Sequence, residues 1–201
     1  MMMVDQLKVG ITGSIGMGKS TIASEFFKLN IPVWSADDAV HELYKKGNDG
    51  YHLIKKLVSE AAVDGEVNRL ILSNAILTTP RLLQTISLAI QPMIKLERLN
   101  FLKMNNSQKI LVFDIPLLFE TSCDNWLDVI ITATAPKSIQ RKRVLSRKSM
   151  TEDKFLHILA SQLSNKEKIE KADFVINTST SFPLLAKKVE AILEKLQNEY
   201  F

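Results

Sequence analysis

The stretch that decides the fold runs from residue 7 to residue 21 and reads LKVGITGSIGMGKST. Its first six residues are apolar or β-branched apart from Lys8 and Gly10, which predicts a buried strand. Residues 13–20, GSIGMGKS, match the pattern G-x-x-x-x-G-K-[ST] without departure. From Lys19 onward the apolar residues recur at helical spacing. The order of strand, glycine-rich loop and helix is the context in which this pattern binds phosphate.

The residue types of this phosphate loop (residues 13–20) suit a nucleoside triphosphate. Glycines allow the backbone to wrap around phosphate oxygens, and the start of the following helix adds its positive dipole end. Lys19 can reach the β and γ phosphates, and Ser20 can offer its hydroxyl to Mg²⁺. An ordinary glycine-rich turn is the alternative, which the flanking strand and helix disfavour. The predicted nucleotide-binding residues are Gly13, Gly16, Met17, Gly18, Lys19, Ser20 and Thr21.

The rest of the chain alternates strands with helices. Further strands are predicted at about 31–34, 109–114, 127–133 and 173–177, and helices at about 38–46, 136–147, 151–162 and 183–197. Residues 51–104 have helical spacing, turns at Asp64-Gly65 and Thr79-Pro80, and no convincing strand. This pattern predicts an α/β fold with a mostly parallel sheet, helices on both faces and a helical insertion.

Composition limits the class of protein. The 201 residues are 46% apolar and 24% charged, as expected of one globular domain or a core with a subdomain. A single cysteine, Cys123, excludes an internal disulfide and a four-thiolate zinc site. Neither a leader segment nor an apolar run of ~18–20 residues is visible. We therefore expect a cytoplasmic protein without membrane association.

The net charge of +4 is modest, and most basic residues are spread along the chain. One local cluster could serve a few phosphates of a small ligand, whereas a nucleic-acid partner would require a broader basic face. We therefore predict no nucleic-acid partner. The cluster comprises Arg141, Lys142, Arg143, Arg147 and Lys148.

Three functional classes are compatible with a triphosphate loop: a small-molecule kinase, a GTP-type switch, and a motor acting on polymers. A GTP switch would read guanine with N-K-x-D, but the nearest string, residues 165–168 (NKEK), lacks the aspartate. A polymer motor usually requires a larger chain. A kinase needs a carboxylate beside the acceptor hydroxyl and cationic groups over the transferred phosphate. The chain offers candidates for each of these parts.

The carboxylate candidate is Asp37, which follows the predicted second strand. Ligands of open parallel sheets bind beyond the carboxyl ends of the strands, so Asp37 could accept the proton of an acceptor hydroxyl. Capping of the next helix is an equally good interpretation of its position. Asp114, at the end of the strand ILVFD, is either a Mg²⁺ ligand or a cap of the following turn. Arg143 and Arg147, four residues apart on a predicted helix, are the arginine candidates, and a solvated basic face is the alternative.

Taken together, these motifs resemble the dephospho-CoA kinase family. The resemblance covers residues 8 to about 195, nearly the whole chain, and rests on more than the phosphate loop. It is carried by 9–21 (VGITGSIGMGKST), 35–37 (SAD), 116–120 (PLLFE), Gln140 with Arg143 and Arg147, Gln162, and 172–177 (ADFVIN). The segment of Asp64, Gly65 and Arg69 is similar to the family's acceptor side.

The phosphate loop predicts Mg²⁺ with the nucleotide. The resemblance implies ATP-dependent phosphorylation of the ribose 3′-hydroxyl of dephospho-CoA, the last step of coenzyme A synthesis. It implies a three-layer P-loop kinase core of approximately residues 7–38, 106–137 and 170–201. A helical CoA-binding subdomain would span approximately 39–105, and a helical lid approximately 138–169. Asp37, Lys19, Arg143 and Arg147 would be catalytic, with Ser20 on the metal. We expect a monomer or a weak homo-oligomer.

Three positions depart from the family pattern. Ser35 stands where the family has the first aspartate of D-A-D, so the charge is lost at that position. Gln91 precedes Pro92 where the family has histidine. Asp114 lies where many members carry an apolar residue, which weakens its assignment as a metal ligand and leaves Ser20, the nucleotide and waters for the Mg²⁺ shell.

Overall fold

The computed structural model describes residues 5–148 and 150–201. Residues 1–4, on which part of the expectation of no leader segment rests, lie outside the described residues. In chain order the elements are β1 (Leu7–Thr12), α1 (Lys19–Lys28), β2 (Val33–Ser35), α2 (Ala36–Leu43), α3 (Asp49–Leu57), a 3₁₀ turn (Ser59–Ala61), β3 (Ala62–Val63), β4 (Glu66–Val67), α4 (Arg69–Thr78), α5 (Pro80–Met104), β5 (Ile110–Asp114), β6 (Val129–Thr134), α6 (Lys137–Leu145), α7 (Glu152–Ala160), α8 (Asn165–Glu170), β7 (Phe174–Asn177) and α9 (Phe182–Tyr200).

Five strands form one parallel sheet in the order β2-β5-β1-β6-β7. β1 is central, and four of its five residues from Leu7 to Ile11 are buried, because a strand with neighbours and helices around it needs apolar residues on both faces. In register, Asp114 at the end of β5 pairs with Ile11 of β1 and with Ser35 of β2. The predicted α/β fold with a mostly parallel sheet is confirmed.

The chain divides into two compact units. The first consists of the described residues up to Ser35 together with Asn105–Phe201. Its core joins the buried strand residues to one face of α1, including Ile22 and Phe26, and to one face of α9, including Val189. These helical residues recur at intervals of three or four, which is the spacing that predicted the helices.

The second unit, Ala36–Met104, has its own apolar core. It is mostly helical, as predicted, but the expectation of no strand was wrong. Ala62–Val63 and Glu66–Val67 form an antiparallel hairpin around the predicted turn at Asp64-Gly65, whose φ angles are 49° and 88°. Two-residue strands are too short to produce a readable period. The buried core residues are Tyr51, Ile54, Val58, Ala61, Val67, Leu72 and Ile86.

The sequence analysis missed helix α8. Ser164 caps it by accepting from the Glu167 amide, and the Glu167 side chain accepts from the Ser164 amide in return. Hydrogen bonding of its carboxyl to the Ser164 side chain, and then to the Ser164 amide, lowers the pKa of Glu167. The spacing S-x-x-E is the signature of such a capping box and could have predicted the helix start.

Among the described residues, no helix has both the length and the apolar character needed to span a membrane.

Candidate active site

The phosphate loop leads directly from β1 into α1. Gly16 and Gly18 adopt positive φ angles of 77° and 83°, a conformation that glycine takes without steric cost. Gly18 is the N-cap of α1, provides no side chain to the first amides, and is followed by a first turn without acidic residues. The positive end of α1 is therefore left for an anion.

Two glutamine side chains hold the backbone of Ile15 in the middle of the loop. The Ile15 amide donates to Gln162 Oε1 over 3.0 Å, and Gln140 Nε2 donates to the Ile15 carbonyl over 2.8 Å. Gln140 lies on α6 and is buried, and Gln162 follows α7. The predicted lid segment thus supplies side chains that fix the loop backbone.

Thr178, which follows β7, supports the other end of the loop. Its hydroxyl donates to the Met17 carbonyl over 2.7 Å and accepts from Arg143 Nη1 over 2.9 Å. Arg143 Nη2 donates to the Thr178 carbonyl over 2.8 Å, and Nη1 lies 3.5 Å from the Gly16 carbonyl. Sequence reasoning did not single out Thr178, although its place after the carboxyl end of a parallel strand was a usable signal.

Gly18→Ala is expected to lower the free energy of unfolding by about 2–4 kcal/mol and to weaken ATP binding. The new Cβ would lie 2.6 Å from Thr178 Oγ1 and 2.9 Å from Thr178 Cβ, at a φ of 83°. Thr178 would have to move away from Met17. Chemical denaturation and ATP titration measure the two effects.

Gly47→Ala is the matched control. Gly47 has a φ of 86°, but its Cβ would meet nothing within 4 Å, so only the backbone strain of about 1–2 kcal/mol applies. An equal loss of stability in both variants, with ATP affinity unchanged in Gly18→Ala, would show that the contact with Thr178 does not shape the loop.

Lys19, the first residue of α1, forms an ion pair with Asp114 at the end of β5. The Lys19 side chain is 12% exposed and the Asp114 side chain 8%. The pair bridges the carboxyl ends of neighbouring strands, where parallel-sheet proteins bind ligands.

The residues near the start of α1 fit a magnesium ion. Ser20 is exposed on the first turn, and Asp114 supplies carboxylate oxygens at the same edge of the sheet. Hydroxyl, carboxylate, phosphate and water oxygens are the ligands that Mg²⁺ prefers, and it usually takes few from the protein. In the described part of the chain, no group of three or more His, Cys, Asp or Glu side chains could hold a metal by itself.

The other two arginines of the basic cluster, Arg147 and Arg141, have different surroundings from Arg143. Helix α6 ends at Leu145, so Arg147 lies beyond it and does not share a helix face with Arg143, which corrects the predicted helix. The Ser146 hydroxyl donates to the Arg143 carbonyl over 2.9 Å and so takes up one of the end carbonyls. Arg147 is exposed. Arg141 forms a two-point ion pair with Glu152 of α7, and that hydrogen-bonded carboxylate raises the pKa of the guanidinium.

Asp37 belongs to the helical unit, where it is exposed in the first turn of α2. Four residues later on the same helix face, His41 Nδ1 lies 3.1 Å from Arg69 Nη2. Burial raises the pKa of the nearby Tyr44 hydroxyl, and the Arg69 charge offsets part of that rise. This unit therefore presents an exposed carboxylate and, on the same helix face, a histidine in contact with a guanidinium.

Comparison with known proteins gives a consistent result. The family model for dephospho-CoA kinase matches residues 7–183. A dephospho-CoA kinase of Bartonella quintana (strain Toulouse) is 40% identical over 190 residues, which cover 94% of this chain and 97% of that protein. The crystal structure of TT1252 from Thermus thermophilus superposes with a TM-score of 0.83 at 26% identity, covering 96% of this chain and 98% of that one. Dephospho-CoA kinase from Campylobacter jejuni shares the fold, with a TM-score of 0.70 at 22% identity and coverage of 96% and 98%.

Proposed function

The chain belongs to the dephospho-CoA kinase family, and from that premise we propose how its own residues carry out the reaction. The activity is ATP-dependent phosphorylation of the 3′-hydroxyl of dephospho-CoA, which yields coenzyme A. The single observation that carries the residue assignments is the Lys19–Asp114 pair at the phosphate loop, because it combines the cation and carboxylate that phosphoryl transfer uses.

ATP binds on Gly13, Gly16, Met17, Gly18, Lys19, Ser20 and Thr21 in this proposal. The support is the positive φ of two loop glycines, the open N-terminus of α1 and the anchoring of the loop by glutamine side chains. The anchored loop is preorganised, so ATP binding does not have to order it. Lys19 turns from Asp114 to the β and γ phosphates.

Ser20 would hold Mg²⁺ together with the nucleotide, and Asp114 would contribute an oxygen directly or through water. When bound, the ion neutralises charge on the phosphate oxygens. A bound Mg²⁺ would give the Asp114 carboxylate another cation to pair with once Lys19 has turned to the phosphates.

Asp37 accepts the proton of the 3′-hydroxyl. The oxygen then forms its bond to the γ phosphorus, and the electron pair of the broken phosphorus–oxygen bond leaves with ADP. Support comes from the chain itself: β2 ends at Ser35, in register with Asp114, and Asp37 follows two residues later. Its exposure leaves the carboxylate accessible to an acceptor.

Arg143 and Arg147 neutralise charge on the transferred phosphoryl group. Arg143 contributes a fixed cation, since Thr178 holds its guanidinium beside Gly16. Arg147 is exposed beyond the end of α6 and is the more adjustable of the two. Arg143 would act from within helix α6, and Arg147 from the chain beyond the end of that helix.

The organisation around these residues follows the family. The helical unit Ala36–Met104 takes the role of the CoA-binding subdomain, and residues 138–169 act as a lid that excludes water during transfer. The protein acts in the cytoplasm as a monomer or weak homo-oligomer, with dephospho-CoA as its small-molecule partner.

The test is ADP release by the purified protein with Mg-ATP, with and without dephospho-CoA. Stimulated release and a product heavier by one phosphate support the proposal. Coenzyme A is the matched control, because its 3′ position is already phosphorylated and should not stimulate release. Stimulation by a nucleoside instead of dephospho-CoA would identify another small-molecule kinase of this fold, and ATP binding without any stimulation would indicate a regulator without transfer.

A further inference from the structure

A buried ion pair lies outside the residues assigned so far. The Lys168 side chain is 0% exposed and the Glu120 side chain 13%. Lys168 Nζ lies 2.8 Å from Glu120 Oε1 and 3.1 Å from Oε2, and it donates to the Pro116 carbonyl over 3.3 Å. A lysine is almost never fully buried unless it is paired, and the pair seldom adds stability over apolar residues. Its presence therefore calls for another explanation.

Glu120 makes one further contact. The backbone amide of Leu163 donates to Glu120 Oε1 over 2.8 Å. Leu163 belongs to the short connection between α7 and α8, next to Gln162. Lys168 itself is fixed from the sheet, because Thr132 of β6 donates to the Lys168 carbonyl over 3.1 Å. The Glu120 carboxylate thus connects the segment between α7 and α8 to Lys168, which is itself held by the sheet.

The residue immediately before Leu163 is Gln162, whose side chain accepts from the Ile15 amide of the phosphate loop over 3.0 Å. Lys168 therefore contacts Glu120, Glu120 contacts the Leu163 amide, and the neighbouring Gln162 contacts the phosphate loop. Moving the Leu163 amide displaces the Gln162 backbone, and a displacement of a few tenths of an ångström weakens a hydrogen bond of this length.

We propose that Glu120 is a positioning residue for the phosphate loop, acting through Gln162, and that Lys168 fixes the Glu120 carboxylate for this purpose. The inference rests on the proposal that ATP binds on the phosphate loop. In this role Glu120 differs from a residue that only stabilises the fold. Replacing Glu120 changes the affinity for ATP, and it does so through the Gln162 side chain.

The test compares two double variants that both lack the ion pair. Glu120→Met/Lys168→Met removes the charges and the acceptor for the Leu163 amide. Glu120→Gln/Lys168→Met removes the charges but keeps an acceptor oxygen of similar reach. Both are expected to fold, because apolar replacement of a buried pair is often tolerated. Thermal unfolding monitors stability in each.

The expected result is an ATP dissociation constant about 3- to 10-fold higher in the Met/Met variant than in the Gln/Met variant, the size of one net hydrogen bond. The KM for ATP should rise in parallel, while kcat and the KM for dephospho-CoA change by less than about twofold. Equal ATP affinity in the two variants, whatever their unfolding temperatures, would overturn the proposal.

A double-mutant cycle with Gln162→Met tests the route. Because Gln162→Met already removes the acceptor for the Ile15 amide, the difference between the two double variants should shrink to less than about twofold in this background. A difference that persists would overturn the proposal. If the Met/Met protein does not fold, Glu120→Asp replaces it, because the shorter side chain keeps the charge beside Lys168 but draws the acceptor back from the Leu163 amide. Its effect on ATP affinity should be present with Gln162 and vanish in Gln162→Met, and an effect of equal size in both backgrounds would overturn the proposal.

Lys19→Met separates this inference from the proposed ATP site. If Lys19→Met loses ATP binding while the Glu120 variants keep it, the positioning role is wrong and the site stands. If Lys19→Met binds ATP as tightly as wild type, the proposed site itself is wrong, and any effect of Glu120 on ATP cannot pass through the phosphate loop, which also overturns the inference.

Discussion

Replacing Asp37 by asparagine is expected to lower kcat by about 100- to 10,000-fold, the range that general-base catalysis contributes. Asparagine has nearly the same shape but cannot take up the proton of the acceptor hydroxyl. ATP affinity should stay within about twofold of wild type, since the phosphate loop and the residues that hold it belong to the other unit. Single-turnover phosphorylation of dephospho-CoA and an ATP titration measure the two quantities.

Asp38→Asn is the matched control for this experiment. Asp38 is exposed in the same first turn of α2, so the change removes the same charge from the same helix end. It should leave kcat within about threefold of wild type, because any general effect of that charge on α2 is small. Similar losses in both variants would assign Asp37 to the helix start, and a parallel loss of ATP binding would assign it to the fold.

The second large effect is expected for Lys19→Met. The value of kcat/KM for ATP should fall by roughly 100- to 1,000-fold, as measured when one preorganised donor to a transition-state charge is removed. Stability should also fall, by about 3 kcal/mol, because the change takes the ammonium away from the largely buried Asp114. Kinetics at varied ATP and chemical denaturation report these effects separately.

Lys19→Met/Asp114→Asn separates the two roles of the lysine. Without the Asp114 charge, most of the lost stability should return, whereas the loss in kcat/KM should remain. Lys19→Arg keeps the charge and should retain stability, but its planar fork does not replace a compact ammonium among the phosphates. Recovery of full activity in the double variant would mean that Lys19 acts only as the partner of Asp114.

Some features could be predicted from the sequence because neighbouring residues determine them. The phosphate loop is a contiguous string between a β-branched run and a helical one, and each of its conformational requirements is met by the glycine at that position. The S-x-x-E spacing at residues 164–167 carried the same kind of local information for α8. The hairpin at Asp64-Gly65 was predictable as a turn, but two paired residues on each side leave no period to detect.

The end of α6 shows how a local rule can fail. Spacing alone placed Arg147 on the same helix face as Arg143, but the helix ends at Leu145 with the Ser146 hydroxyl on the Arg143 carbonyl. A serine is compatible with a helix interior and with its end, so the sequence does not choose between them. Thr178 holds the Arg143 side chain, and the helix ends two residues later at Leu145.

By itself the sequence determined the α/β class, the position and chemistry of the phosphate loop, and the identity of the residues that mark the family. Tertiary structure alone decided which residues hold that loop. Lys19 meets Asp114 across 95 residues, Ile15 meets Gln162 across 147, and Thr178 meets Met17 across 161. The physical reason is that parallel strands need long crossover connections, so the residues gathered at their carboxyl ends come from distant parts of the chain. Hydrophobic periods report only residues two to four positions apart and carry no information about those long-range contacts.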